Sequence, residues 1–356
     1  VNFAADVTFA DGADIITATA GTSNFRAGVN AGNSIQSGGN DNTVIGDEAG
    51  TAITTGDSNT LVGKEAGDAL TTGGFNVAVG HLALSGEDEA NNNVAVGYAA
   101  LRVLNGGTQN VAVGQSAGTA MTTGNQNTIV GTNAGDALTT GANNVAIGFE
   151  ALSTEDADGN NTAIGYQALK TLNAGASGFN TAVGVSSGTA MTTGVKNTLL
   201  GHGSGAALTN ADFNIAIGFG SLNSDTLGSK SVAIGEQALN AQNFTTATDA
   251  HNTAVGHNAG KAVTTGANNT IIGANTGIAL TSGSNNNLIG GLAGDALTTG
   301  ISNNIMGVSC GTSLTDADYN VAIGQQALNA DTLGSRTVAI GSFALSAQNF
   351  TTATNS

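Results

Sequence analysis

Short bursts of apolar residues recur along this chain at a fixed interval, each opened by asparagine and closed by glycine. Asn110-Val111-Ala112-Val113-Gly114 is one copy of the unit; Asn59-Thr60-Leu61-Val62-Gly63 and Asn320-Val321-Ala322-Ile323-Gly324 are others. Eighteen copies start at residues 42, 59, 76, 93, 110, 127, 144, 161, 180, 197, 214, 231, 252, 269, 286, 303, 320 and 337. The step is 17 residues except for one of 19 and one of 21. A period this short means one chain turn per repeat, a solenoid in which each coil contacts its neighbours. A degenerate first coil starts at Asn24, with Arg26 where an aliphatic residue belongs, which makes 19 coils.

Each coil is numbered from its opening residue. Positions 2 to 4 favour β structure, position 5 is glycine in all eighteen regular coils, and position 8 is always small. This pattern predicts an all-β fold, a parallel β-solenoid (β-roll). Positions 1–4 form a short strand, the glycine a corner, positions 7–9 a second strand, and the remainder a turn-rich return. Nineteen coils stacked at ~4.8 Å would give a rod on the order of 90 Å. Residues 24–356 make up the solenoid. Residues 1–23 do not fit the repeat and read as an N-terminal cap or connector, with short strands at Val7-Thr8-Phe9 and Ile15-Ile16-Thr17.

Two details refine the packing. Asn opens sixteen of the eighteen regular coils, replaced by Ser231 and Thr337, so Asn110 and its equivalents are expected to form an amide ladder. The coils also come in two flavours, with Gly or Leu at position 9, in four-coil super-repeats. Position 3 is large in seven coils (Val44, Leu61, Ile129, Leu199, Ile271, Leu288 and Ile305), and neither that coil nor the one before it then carries Leu at position 9. Elsewhere position 3 is alanine. Close-packed interiors require such volume exchange, and Leu101 is expected to pack on Ala95 and on Ala112 of the next coil.

Strand periodicity sends position 3 to one face and positions 2 and 4 to the other, and both are largely apolar. A long outward row of Val and Ile calls for a cover. Self-association supplies one, and a three-fold bundle would hide one row per chain. The return segment folding back over the row is the alternative.

Composition narrows the function. Only 9% of residues are charged while 40% are apolar, which suits an ordered chain with a small aliphatic core. The net charge of −17, with eight Lys and Arg, disfavours nucleic acid and anionic membrane surfaces. No run approaches a membrane span, so no membrane insertion is expected. The single Cys310 excludes an internal disulfide framework.

The repeats resemble the head domains of trimeric autotransporter adhesins and related bacteriophage tail-fibre repeats. Ser231-Val232-Ala233-Ile234-Gly235 and Thr337-Val338-Ala339-Ile340-Gly341 match most closely, and the likeness covers residues 24–356. It implies a left-handed parallel β-roll packed as a trimer and presented on a stalk for attachment to a surface. The coils here are longer than the family's.

Candidate chemistry is sparse. His81, His202 and His257 share position 6 but stand at least three coils apart. Gly201-His202-Gly203-Ser204-Gly205 mimics a nucleophile elbow, yet it reads as a corner followed by a position-8 serine. Cys310 occupies the same small position and reads as inert. Acidic residues gather at Glu87-Asp88-Glu89 and Glu155-Asp156, and occur singly at Asp225 and Asp331. They read mainly as solvated loops, although Asp156, Asp158 and Asn160 resemble half of a calcium loop. No other cofactor is expected. The Thr-Thr pairs read as turn residues rather than an ice-binding array. Tyr98, Phe149, Tyr166 and Phe219 fall at position 6, and Phe75, Phe179, Phe213 and Tyr319 just before a coil start. They pack loops against the rod or form a row of sugar-stacking rings near loops that tolerate insertions.

The sequence thus leads to a non-enzymatic, elongated surface fibre or adhesin, extracellular or on a cell or virion surface. It would display loops to a host-surface or glycan receptor. A structural filament subunit assembled through uncapped solenoid ends is the alternative, and a glycan depolymerase is the weakest reading.

Overall fold

The computed structural model describes residues 19–86, 89, 91–157, 159–175 and 178–355. Most of the expected cap, including both of its short strands, lies outside the described residues. The chain falls into two compact units, Val1–Thr132 and Asn133–Ser356, and both are parallel β-solenoid.

In the first unit seven three-residue strands stack, from Phe25–Ala27 to Thr128–Val130. The second unit stacks twelve, from Val145–Ile147 to Val338–Ile340. Each neighbouring pair is parallel and in register, position on position, as in Val94↔Val111, Ala95↔Ala112 and Val96↔Val113. Register survives the two longer coils, where Ile164 pairs with Val183 and Ile234 with Val255. The extra residues therefore leave the stack as loops. No helix occurs among the described residues.

The strand side behaves as the alternation requires. Position 3 is sealed inside: Ala112 is fully buried, whereas Val111 and Val113 beside it are each 36% exposed. The expected second strand does not occur among the described residues. Positions 6–11 are turns, because positions 7 and 9 both take left-handed backbone, as at Ala99 (φ 56°) and Leu101 (φ 48°). A β ladder cannot pass through such residues. The coils still bond to one another here: the Leu101 amide donates to the Ala117 carbonyl of the next coil (3.0 Å), and that of Ala99 to His81 of the one before (3.0 Å).

Backbone conformation also explains which glycines are fixed. Gly114 has φ 139°, a region open to glycine alone, and a Cβ there would stand 2.5 Å from the Gly131 carbonyl oxygen of the next coil. Position 9 lies in the milder left-handed well, where a leucine costs about 1–2 kcal/mol against roughly 1.5–3 kcal/mol from burying it. Glycine is thus obligatory at position 5 and exchangeable at position 9.

The volume rule has a geometric basis. A Cβ on Gly67 would lie 2.9 Å from Leu61 of its own coil, and one on Gly50 of the preceding coil 2.9 Å from the same side chain. A large position 3 therefore occupies the space that a leucine at either position 9 would need. Leu101 does the reverse: its Cδ2 lies 2.9 Å from where a Cβ on Gly118 of the next coil would stand. It fills that coil while Ala112 stays small, and Leu101, Ala95 and Ala112 are all fully buried.

The amide ladder is present and internally satisfied. Asn110 Oδ1 accepts the Asn127 main-chain N–H (3.0 Å) and side-chain Nδ2 (3.1 Å), and Asn110 Nδ2 donates to the Gly124 carbonyl (2.8 Å). The threonine at position 13 acts in many coils as a bracket to the next. Thr264 and Thr281, for example, donate through Oγ1 to the next coil's Thr281 and Thr298 carbonyls at 3.2 and 3.0 Å. At the first coil, Arg26 turns its guanidinium onto the Gly32 carbonyl (3.0 Å).

Candidate binding face

With positions 1, 3 and 5 pointing inward, positions 2, 4 and 6 and the last residue of the preceding coil share the outer face of the sheet. Position 4 is aliphatic or methionine in all eighteen regular coils. Among the described residues of each unit no element lies across this row, so the return segment does not cover it. Its members remain partly exposed even between flanking coils, as Ile45, Leu200 and Ile272 do.

Aromatic residues border the aliphatic row on both sides. Tyr98 (50% exposed), Phe149 (41%), Tyr166 (48%) and Phe219 (54%) stand along the position-6 edge. Phe75, Phe179, Phe213 and Tyr319 stand along the other edge and are exposed too. The described ring and cation contacts of both sets run from coil to coil. Phe149 and Tyr166 stack with centroids 5.5 Å apart and planes 11° apart. His202 and Phe219 stack at 5.2 Å, and His81 tilts against Tyr98 at 5.6 Å. The ammonium of Lys196 sits 5.0 Å over Phe213, and the guanidinium of Arg336 lies 5.4 Å over Tyr319. Such pairs contribute about 0.5–1.5 kcal/mol each between rings, which holds the edges of the face in fixed orientations.

Neither comparison with known proteins supplies a relative: no model of a known protein family matches the chain, and no curated protein matches it. Function must be argued from the residues themselves.

The acidic residues do not behave as one class. Glu155, Asp225 and Asp331, all at position 12 where most other coils carry a core aliphatic residue or methionine, are fully buried rather than solvated. Asp225 Oδ1 accepts the amides of Gly228 and Phe244 (both 3.0 Å), and Oδ2 accepts Gln242 Nε2 (2.5 Å). Gln242 Nε2 also reaches Ser231 Oγ (3.1 Å), while Gln242 Oε1 accepts Asn252 Nδ2 (2.9 Å). The glutamine thereby takes over the ladder position that Ser231 is too short to fill. Sequence reasoning missed this arrangement, although its signal was available: Ser231 and Thr337, the two breaks in the asparagine row, both belong to coils with Gln at position 12.

The candidate calcium residues are only partly in view. Asp156 Oδ1 is engaged by Thr139 Oγ1 (2.5 Å), Asn160 takes left-handed backbone, and Asp158 lies outside the described residues. Glu87 and Asp88 lie outside them as well. No group of three or more His, Cys, Asp or Glu among the described residues is arranged to hold a metal ion. Beside Phe149, the Lys170 ammonium (2.6 Å), helped by Gln167, holds the Glu150 carboxyl below its usual range. At the elbow-like string, Ser204 Oγ donates to the Gly201 carbonyl (3.0 Å) and lies 2.9 Å from Ser187 Oγ. Burial pushes the Cys310 thiol up to about 11, two backbone hydrogen bonds opposing it.

Proposed function

We propose that this chain is a non-enzymatic fibre segment of a cell or virion surface, self-associated through the outer face of its sheet and displaying loops for attachment. The observation that carries the reading is the aliphatic row bordered by aromatic residues and left uncovered in each unit. In the second unit, twelve coils at ~4.8 Å and a width of about five residues at ~3.3 Å give a face on the order of 1,000 Å². A stable association needs about 800 Å² per partner. Three copies arranged about one axis would each hide one such row, in keeping with the resemblance to trimeric adhesin heads. The buried, weakly acidic Cys310 and the hydrogen-bonded Ser204 support a non-catalytic role.

The experiment is the mass of the full chain by light scattering, with and without Ile217→Lys and Ile234→Lys on the face. Three chains per particle, reduced to one by the lysines, is the expected result. A wild-type monomer at micromolar concentration overturns the reading, and open-ended filaments replace it with a filament subunit.

A further inference from the structure

We propose that the segments Gln242–Thr248 and Gln348–Thr354 are two equivalent recognition loops for a neutral glycan, held at a fixed spacing. The proposal rests on the attachment reading above and names the ligand class and the place of contact.

Both loops are anchored by the same buried device. Asp331 repeats Asp225: Oδ1 accepts the Gly334 and Phe350 amides (3.1 and 2.9 Å), and Oδ2 accepts Gln348 Nε2 (2.9 Å). In each copy the far end of the segment returns to the coil body as a two-residue parallel pairing, Thr248–Asp249 on Gly228–Ser229 and Thr354–Asn355 on Gly334–Ser335. A threonine closes the near end. Thr226 Oγ1 donates to Asn243 Oδ1 (3.1 Å) and to the Phe244 carbonyl (2.9 Å), and Thr332 does the same to Asn349 (3.2 Å) and Phe350 (2.8 Å). Loops tied at both ends lose little freedom on binding, which favours affinity.

What the anchors do not explain is the identity of the exposed residues. Residues 214–248 and 320–354 are near copies that differ at solvent-facing positions such as Phe219 against Gln325 and Glu236 against Ser342, and at buried ones such as Ser221 against Ala327 and Ser231 against Thr337. The buried device accounts for Asp, Gln, Gly and Phe being the same in both. It places no demand on Thr245-Thr246-Ala247 or Thr351-Thr352-Ala353, which are exposed and unchanged. Those tips offer hydroxyl groups and a methyl, flanked by the Asn243 and Asn349 amides, and carry no charge between Gln and the closing Thr. That chemistry suits a polyhydroxylated, uncharged ligand. The net charge of −17 disfavours an anionic one. The loops are six coils apart, roughly 29 Å at ~4.8 Å per coil, so a polymer can engage both.

The test uses the full chain on immobilised dextran, mannan and xylan, three neutral polysaccharides of different sugars. Retention on at least one is expected. Thr246→Glu or Thr352→Glu alone should weaken it at least ten-fold through lost bivalency, and the double variant should abolish it. A short oligosaccharide of the same sugar should bind either single variant with unchanged affinity at half the stoichiometry. No retention on any of the three overturns the glycan assignment and leaves the self-association result standing by itself. Full retention by the double variant, folded by its unchanged denaturation midpoint, moves binding away from these loops.

Discussion

The exchange of volume between position 9 of one coil and position 3 of the next can be tested as a two-residue cycle. Leu101→Gly removes a fully buried side chain whose Cδ2 lies 2.9 Å from the Cβ that Gly118 lacks. Truncating a buried leucine costs about 2–5 kcal/mol. Glycine relieves the left-handed strain at φ 48°, worth about 1–2 kcal/mol, so a net loss of about 1–3 kcal/mol is expected. Ala112→Ile alone overfills the same space and should cost about 1–3 kcal/mol. Together they recreate the pattern of the coil at 197, where Leu199 lies against the position-9 glycines of its own coil and the preceding one, Gly205 and Gly188, each 2.8 Å from the built Cβ. The double variant should recover most of the loss, a coupling of about 2–3 kcal/mol. Hydrogen exchange at the amides of Val94–Val96 and Val111–Val113 in the full chain reads the change locally, which suits a repeat array better than one global transition. A double variant as unstable as the sum of the singles would refute the packing rule.

Further outcomes follow from single positions. Gly114→Ala combines a forbidden φ with a 2.5 Å approach to the Gly131 carbonyl; it should cost at least about 3 kcal/mol, whereas Gly118→Ala, at φ 59°, should cost less, compared by denaturant unfolding. Burial raises the Asp68, Asp136 and Asp295 carboxyls above the usual range. In each, Oδ1 is shielded from solvent without a hydrogen-bond partner. A carboxyl raised in the fold binds its proton more tightly there than in the unfolded chain. Its contribution is therefore most favourable below the unfolded value and is lost as pH rises through the folded one. Asp68→Asn should accordingly raise the melting temperature at pH 7, by an amount that shrinks on acidification; a gain that grows toward acid would contradict this. Cys310, buried with its thiol raised to about 11, should resist iodoacetamide at pH 8 in the native chain and react on unfolding; labelling of the folded protein would contradict its placement.

The sequence by itself determined the period, the strand at positions 1–4, the register and the identity of the inward residues. Each of these follows from alternation within a strand and from repetition between coils, and both are written in residue types. Asn110, Gly114, Leu101 and Ala112 could be assigned their places in this way, because a stacked coil has only one neighbour on each side and its volume must be shared. The sequence could not determine what the second side of the coil is. A single small residue at position 8 between variable neighbours suits a strand and a left-handed turn equally, and the choice between them is made by hydrogen bonds to the adjacent coils. Nor could it separate Asp225 and Asp331, sealed beneath their loops, from exposed acidic residues such as Asp249. A buried carboxylate is costly unless hydrogen-bond donors converge on it, and for Asp225 and Asp331 three do, from a turn, from the next coil's glutamine and from the loop that follows. Tertiary structure alone brings those three together, and it also leaves Tyr98, Phe149, Tyr166 and Phe219 on the open side of the sheet, since the return segment closes against the inner face instead.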